Sequence, residues 1–205
     1  MASPIDICNL ALDLLSIRPI VAFDGRSQAA RSSELHYDHS RRTILRDHPW
    51  NFAKRNLRPA QVTLPDGYGK YRYAYQYPFD CLYVISVKLN GTGNEVDHEI
   101  ATLSDGTKII MANIQELIIT YTADVENAEL FDDLFEDALM YRMASQLSPL
   151  TKSSNKKKEM EDLYLATLTR ARTIDGREEQ PTIERDNAPW ITARTSGVAV
   201  YRGRG

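Results

Sequence analysis

A chain of 205 residues, 42% hydrophobic and 26% charged, is long enough to bury a sizeable core in one domain or in one domain with an insertion. Its formal net charge of −3 argues against a general nucleic-acid binder, and its two cysteines, Cys8 and Cys81, make neither a metal-ligand pair nor a disulfide framework. No apolar run approaches the roughly 20 residues that cross a bilayer, and MASPIDICN has no basic segment followed by an apolar one. Neither a membrane anchor nor a secretory signal is therefore expected, and a reducing cytoplasm is the expected compartment.

The first predicted helix opens at Ser3 as cap, with Pro4 at its first position and Asp6 complementing the dipole. Ile5, Cys8, Leu12 and Leu15 form its apolar stripe, widened by Ala11, and Arg18-Pro19 is the expected stop. PIVAFDGRS follows as a connection turning at Asp24-Gly25. A second helix is predicted from about Ser27 to Asp47, with Ala30, Tyr37, Ile44 and Leu45 as its apolar face. Arg31, Arg41, Arg42 and Arg46 are placed on its other faces against Glu34, Asp38 and Asp47. Pro49 disfavours helix at His48 and closes the element. Trp50 and Phe52 then stand where the chain must turn toward a new layer, which predicts a hydrophobic plug at that corner. Lys54 and Arg55 leave the corner for solvent, a neighbouring subunit or another protein.

From about Leu57 to Ala123 the pattern is that of strands. CLYVISVKLNG is rich in β-branched residues and ends in the turn signal Asn90-Gly91; Asp105-Gly106 separates a strand near 98–103 from TKIIMA; ELIITYTA is a further strong strand. In YRYAYQY the residues Tyr71, Tyr73, Tyr75 and Tyr77 alternate strictly. One strand would place all four on one face, either half-exposed or in contact with a neighbouring chain.

FDDLFEDALMYRMASQL predicts a third helix with Phe131, Leu134, Phe135, Ala138 and Leu139 on one side, acids in its first turn and Pro149 at its end. Ser153 or Ser154 caps a long fourth helix to about Ile174, striped by Met160, Leu163, Tyr164, Leu168 and Ala171. Lys156, Lys157 and Lys158 near its start read as a solvated face. From Gly176 the pattern disappears, and the last 30 residues hold too few aliphatics to bury a core. Trp190, Ile191, Val198, Val200 and Tyr201, with Arg194 and Arg202, predict an arm that orders on a partner, VAVYR being a strand in want of a sheet edge. The expected fold class is α+β: N-terminal helices (1–56) and C-terminal helices (125–175) of a bundle, a β-rich domain (57–124) inserted between them, and an extended arm (176–205).

Chemistry is hard to find in this pattern. His36 and His39, three apart on a helix beside Glu34 and Asp38, have the spacing of a metal-ligand pair, but no third ligand converges on them. No G-x-S-x-G, Walker loop or G-x-G-x-x-G occurs. Asp132-Asp133 and Glu136-Asp137 read as dipole partners at a helix start, and acids interrupt the run of Arg41, Arg42 and Arg46 that would otherwise suit a phosphate. No catalytic, cofactor-binding or metal residue is assigned, and no cofactor is expected.

Four segments in order carry a resemblance: ICNLALDLLSIRPI running into VAFDGRSQAAR; YDHSRRTILRDHPWNFAKRNLRPA; YAYQYPFDCLYVISV; and the helix pair from FDDLFEDALMYRMASQLSPL to RARTIDGREEQ. Across about Ile5 to Gln180 the chain resembles the tail tubular protein A family, the head-to-tail adaptors of short-tailed bacteriophages. The resemblance implies a non-enzymatic virion protein, assembled in the host cytoplasm, with a helical bundle and a β-rich domain. It implies a ring of this chain, usually of twelve copies, docked under the portal protein. The ring would extend a channel through which genomic DNA passes without sequence-specific binding, and would offer a platform to the downstream tail tube or nozzle protein. It also implies C-terminal segments that reach onto the portal, where this chain departs from the family in being basic at its extreme C-terminus. A connector or stopper protein of a long-tailed phage is the nearest other reading. A metal-dependent enzyme or nuclease built on His36 and His39, and a DNA-binding regulator, are the readings from other classes.

Overall fold

In the computed structural model, residues 3–64, 67, 69–90, 94–151 and 155–178 are described, the last four by backbone alone. The cap expected at Ser153 or Ser154 lies outside the described residues. So do Trp190, Ile191, Arg194, Val198, Val200, Tyr201 and Arg202 of the arm.

Helix α1 (Pro4–Leu14) begins with a reciprocal cap: Ser3 Oγ accepts from the Asp6 N–H at 3.1 Å, and the Asp6 carboxylate accepts from the Ser3 N–H at 3.0 Å. The helix ends four residues before the expected stop at Arg18-Pro19. Ser16 takes a left-handed conformation (φ 56°), and the N–H groups of Ser16 and Ile17 close on the carbonyls of Asp13 and Leu12. This satisfies the last carbonyls without any need for proline. Ile7, Cys8, Ala11 and Leu12 are buried; Ile5 sits at the margin of that face.

Helix α2 (Gln28–Asp47) starts at Ser27, whose Oγ accepts from the Ala30 N–H at 3.1 Å. Its buried face holds the expected Ala30, Tyr37, Ile44 and Leu45, and also Ser33, Ser40 and Arg41. After it the chain makes one 3₁₀ turn at Asn51–Ala53 and enters β1 (Lys54–Leu57), three residues before the expected start of the strands.

Six more strands follow: β2 (Gln61–Val62), β3 (Tyr73–Gln76), β4 (Cys81–Leu89), β5 (His98–Thr102), β6 (Lys108–Ala112) and β7 (Leu117–Ala123). All pairings are antiparallel, in a three-stranded sheet ordered β1-β7-β4 and a four-stranded sheet ordered β2-β3-β6-β5. The β5–β6 connection turns at Gly106 (φ +85°), where the Asp105 carboxylate accepts from the Thr107 N–H at 2.8 Å.

Helix α3 (Asp133–Leu147) is capped by Asp132, whose carboxylate accepts from the Leu134 N–H, and packs against α1, α2 and α4 (Lys156–Glu178). On α4, Met160, Tyr164, Leu168 and Ala171 are buried as expected but Leu163 is exposed, because the helix packs chiefly on α3, which covers only a narrow stripe. Among the described residues no helix is long and apolar enough to cross a membrane.

The fold is α+β. One hydrophobic core runs from Ile7, Leu12 and Ile44 through Phe135, Leu139 and Met143 to Ile119 and Val87, so the three-stranded sheet and the helices share an interior. A small second cluster of Tyr71, Ala74, Ile109 and Met111 covers the other face of the four-stranded sheet. This arrangement corrects the expectation that the alternating tyrosines share one face. The chain bends at Arg72, whose N–H donates to the Asn113 side chain at 3.0 Å, and β3 spans only Tyr73–Gln76. Tyr71 therefore falls into the small cluster, while Tyr73, Tyr75 and Tyr77 pack against the main core. Tyr75 is buried, and its hydroxyl donates to the Ile114 carbonyl. Tyr71 and Tyr75 are thus interior residues, while Tyr73 and Tyr77 are half-buried.

Candidate interaction site

The corner at Trp50 is a knot of aromatic rings between helices and sheet. The Trp50 ring is 2% exposed and stands edge-on to Phe135, with centroids 5.2 Å apart, and to His48 at 4.9 Å. Its Nε1–H donates to the carbonyl of Ile44 at 3.0 Å. That carbonyl is one of the last four of α2, which have no partner inside the helix, so the indole closes the helix end and packs it on α3 at once. Phe52 is half-buried, 5.1 Å from Phe135 and 5.8 Å from Phe131. The sequence places Trp50 and Phe52 at this corner; their partners Phe131 and Phe135, about 80 residues further along the chain, are beyond its reach.

Of the two basic residues that follow the corner, Lys54 is half-buried and Arg55 exposed. Both lie in β1, opposite Thr122 and Tyr121 of β7. Lys54 Nζ donates to the Asn51 side chain at 3.0 Å, and Arg55 Nη1 donates to the carbonyls of Phe52 and Lys54 at 3.0 and 3.1 Å.

Arg41 is the residue that sequence reading misplaced. The sequence pattern places it on a polar face, yet it is 2% exposed. Its Nη1 donates to Asp124 Oδ1 at 2.5 Å and to the Val125 carbonyl at 2.7 Å, while Arg42 Nε reaches Asp124 Oδ2 at 3.2 Å. The Asp124 N–H donates in turn to the Asp80 carbonyl at 2.7 Å, and the Tyr121 hydroxyl donates to the Asp80 carboxylate at 3.1 Å. Burial, and then this bond to Asp80, push the Tyr121 hydroxyl up to about 12. One polar chain thus ties the middle of α2 to the end of β7 and to the turn before β4. The available signal was position: Arg41 follows Tyr37 by four residues and precedes Ile44 by three, inside the apolar stripe.

Two open cavities flank this chain. One, of about 390 Å³, is lined by Asp38, His39, Arg42, Thr43 and Arg46 of α2 and by Leu82. His36 is half-buried and His39 exposed, and among the described residues no three His, Cys, Asp or Glu side chains converge as a metal site. The other, of about 320 Å³, lies beside β1 and is lined by Leu57, Arg58, Pro59, Ala60, Gln76, Pro78, Phe79, Asp80 and Tyr121. Phe79 is fully exposed on its rim and Leu57 is 39% exposed.

At the start of α3 acids crowd together. Glu136 is held above the ordinary carboxylate range by burial first and then by the neighbouring charges of Asp133, Asp137 and Asp132. The cluster serves the dipole of α3, as expected from the sequence. At the far end of α2, Tyr164 donates to the Asp47 carboxylate at 2.6 Å and Arg172 to the Asp47 carbonyl at 3.2 Å, which holds α4 against the helix end. Lys156 pairs with Glu159 within α4, and Lys157 and Lys158 are exposed.

The geometry offers packing surfaces and open clefts, with no assembled set of nucleophile, base and oxyanion donors among the described residues. No protein-family model matches the chain, and no curated protein matches it significantly.

Proposed function

We propose that this chain is a head-to-tail adaptor of a short-tailed bacteriophage: a non-enzymatic virion protein that forms a ring, usually of twelve copies in such systems, under the portal. The observation that carries the reading is the ordered succession of the four segments spanning about Ile5 to Gln180. In this reading the four helices form one bundle, the strands are an insert between its halves, and the residues beyond α4 are an arm that binds the portal or a neighbour.

The mechanism is mechanical. A subunit in a closed ring must hold one angle, because a small error repeated around the ring prevents closure. A core shared by helices and sheet, pinned at Trp50 and clamped at Arg41, supports that requirement. Arms that order on the portal gain from many simultaneous contacts around the ring. The downstream tail tube or nozzle protein then binds the distal face. The net charge of −3 suits a channel wall that lets DNA slide, since a lumen rich in arginine would hold phosphates.

The test is the copy number of this chain in purified virions, by quantitative mass spectrometry against the capsid protein. About a dozen copies per particle is the expected result, and absence from particles overturns the reading.

A further inference from the structure

Along α2 the sequence sets arginines among acids, and the fold then separates them. The Asp38 carboxylate is engaged by Arg41 Nε at 3.4 Å, Asp124 is held by Arg41 and Arg42, and the Asp47 carboxylate turns to the Tyr164 hydroxyl at 2.6 Å. Arg41 is itself withdrawn into the interior. His39, Arg42, Thr43 and Arg46 stand at i, i+3, i+4 and i+7, so one face of α2 carries them, and with Asp38 and Leu82 they line the open cleft of about 390 Å³. Arg42 is not a loose surface charge. Its Nε lies 3.2 Å from Asp124 Oδ2, which leaves its Nη1 and Nη2 N–H groups for the cleft that the side chain lines. Arg46 is exposed and has no carboxylate within ion-pair distance among the described residues. Burial, then the bond to Cys81 and its charge, push the Tyr77 hydroxyl up, while Arg46 draws it down; Lys108 Nζ stands 5.5 Å from the centre of the same ring. Three arginines thus meet two carboxylates here, with Lys108 close by. Positive charge collects in one cleft of a chain whose net charge is −3.

We propose that this cleft binds a single phosphate group, either as the free ion or as the terminal group of a small monoester. Arg42 and Arg46 lie one helical turn apart, and each guanidinium presents paired N–H donors; the His39 ring adds a further donor. This set exceeds what the two oxygens of a carboxylate can use and matches the three free oxygens of a phosphate monoester. Because Asp124 already fixes Arg42, little ordering remains to be done when the anion arrives. The Thr43 hydroxyl is committed to the His39 carbonyl at 2.8 Å and takes no part. Asp38, at the rim, is the one carboxylate that lines the cleft, and the adjacent Arg41 offsets its charge. A long polyanion suits the cleft poorly, since its affinity comes from neutralising many phosphates at once and the rest of this chain is acidic. The inference goes beyond the adaptor reading and does not rest on it.

The experiment titrates inorganic phosphate into the purified full-length protein at constant ionic strength, with chloride as the balancing anion. Backbone amide and arginine Nε–H signals are followed by nuclear magnetic resonance. Saturable shifts centred on His39, Arg42, Arg46 and Leu82 are expected. Arg46→Gln, a change at an exposed side chain, is expected to weaken binding by about tenfold and to leave the thermal melt unchanged. The absence of saturable shifts, undiminished binding by Arg46→Gln, or equal shifts with succinate overturns the phosphate site. A 5′-mononucleotide titrated in parallel separates the two sources: tighter binding than inorganic phosphate assigns the cleft to an ester, and equal or weaker binding assigns it to the free ion. A DNA duplex without terminal phosphates that shifts the same signals at lower concentration makes the cleft a nucleic-acid contact and overturns the small-ligand assignment. A cleft blind to phosphate leaves the adaptor reading standing, and absence of the chain from virions leaves a phosphate site standing.

Discussion

The guanidinium of Arg41 lies 2.5 Å from the carboxylate of Asp124, 83 residues further along the chain, with the arginine side chain almost wholly out of water. The pair fastens the middle of α2 to the point where β7 gives way to the helices that follow. Its strength comes from completeness, since the Val125 carbonyl and Arg42 fill the remaining positions around it.

Arg41→Ala strands a carboxylate and a backbone carbonyl at that junction. The expected loss is about 3 kcal/mol of stability, from the cost of breaking a buried pair on one side. Chemical denaturation of the two proteins, with unchanged denaturant dependence, checks it. Arg42→Ala, at an exposed position, is expected to lose no more than about 1 kcal/mol.

Trp50→Ala empties the space between α2 and α3 and is expected to cost about 3–5 kcal/mol. Trp50→Phe keeps most of the packing but leaves the Ile44 carbonyl unpaired, at about 1–2 kcal/mol. Thermal melts of both variants test the corner: a Trp50→Ala protein as stable as wild type would remove Trp50 from that role.

The bond between Tyr164 and Asp47 joins α4 to the end of α2. Tyr164→Phe and Asp47→Ala are each expected to cost about 1 kcal/mol, and the double variant no more than the larger single effect plus a few tenths. Full additivity in a double-mutant cycle would show that the two do not act together.

Glu136 provides a test by pH. Its carboxyl is raised above 4.5 in the folded protein, so between that value and the folded one the native state binds the proton more tightly than the unfolded state does. Stability from this group is therefore present at low pH and is lost as pH rises through the folded value. Glu136→Gln removes the loss. The variant is expected to melt higher than wild type at pH 7 and to gain less at pH 4, with the comparison made at fixed salt.

Much of this architecture was legible in local signals. Ser3 with Asp6, Ser27, Asp132 and Gly106 act within three or four residues of themselves, and the elements they bound lie where the sequence puts them. The tyrosine alternation misled because a period of two identifies faces only inside one continuous strand, and the bend at Arg72 breaks that strand. Leu163 misled because an apolar stripe states what a helix can bury, and the width of its neighbour decides what it does bury.

By itself the sequence determined the order of the helices and the main strands, the helix starts at Ser3 and Ser27, the turn at Asp105-Gly106 and a tryptophan at the joint, since each depends on neighbours a few bonds away. Only the tertiary structure decided that Arg41 is an interior clamp, that Trp50 leans on Phe135, and that Phe79 stands exposed on the rim of a cleft beside β1. Those facts depend on which distant segments meet, and burial and pairing are properties of the meeting and not of either segment alone.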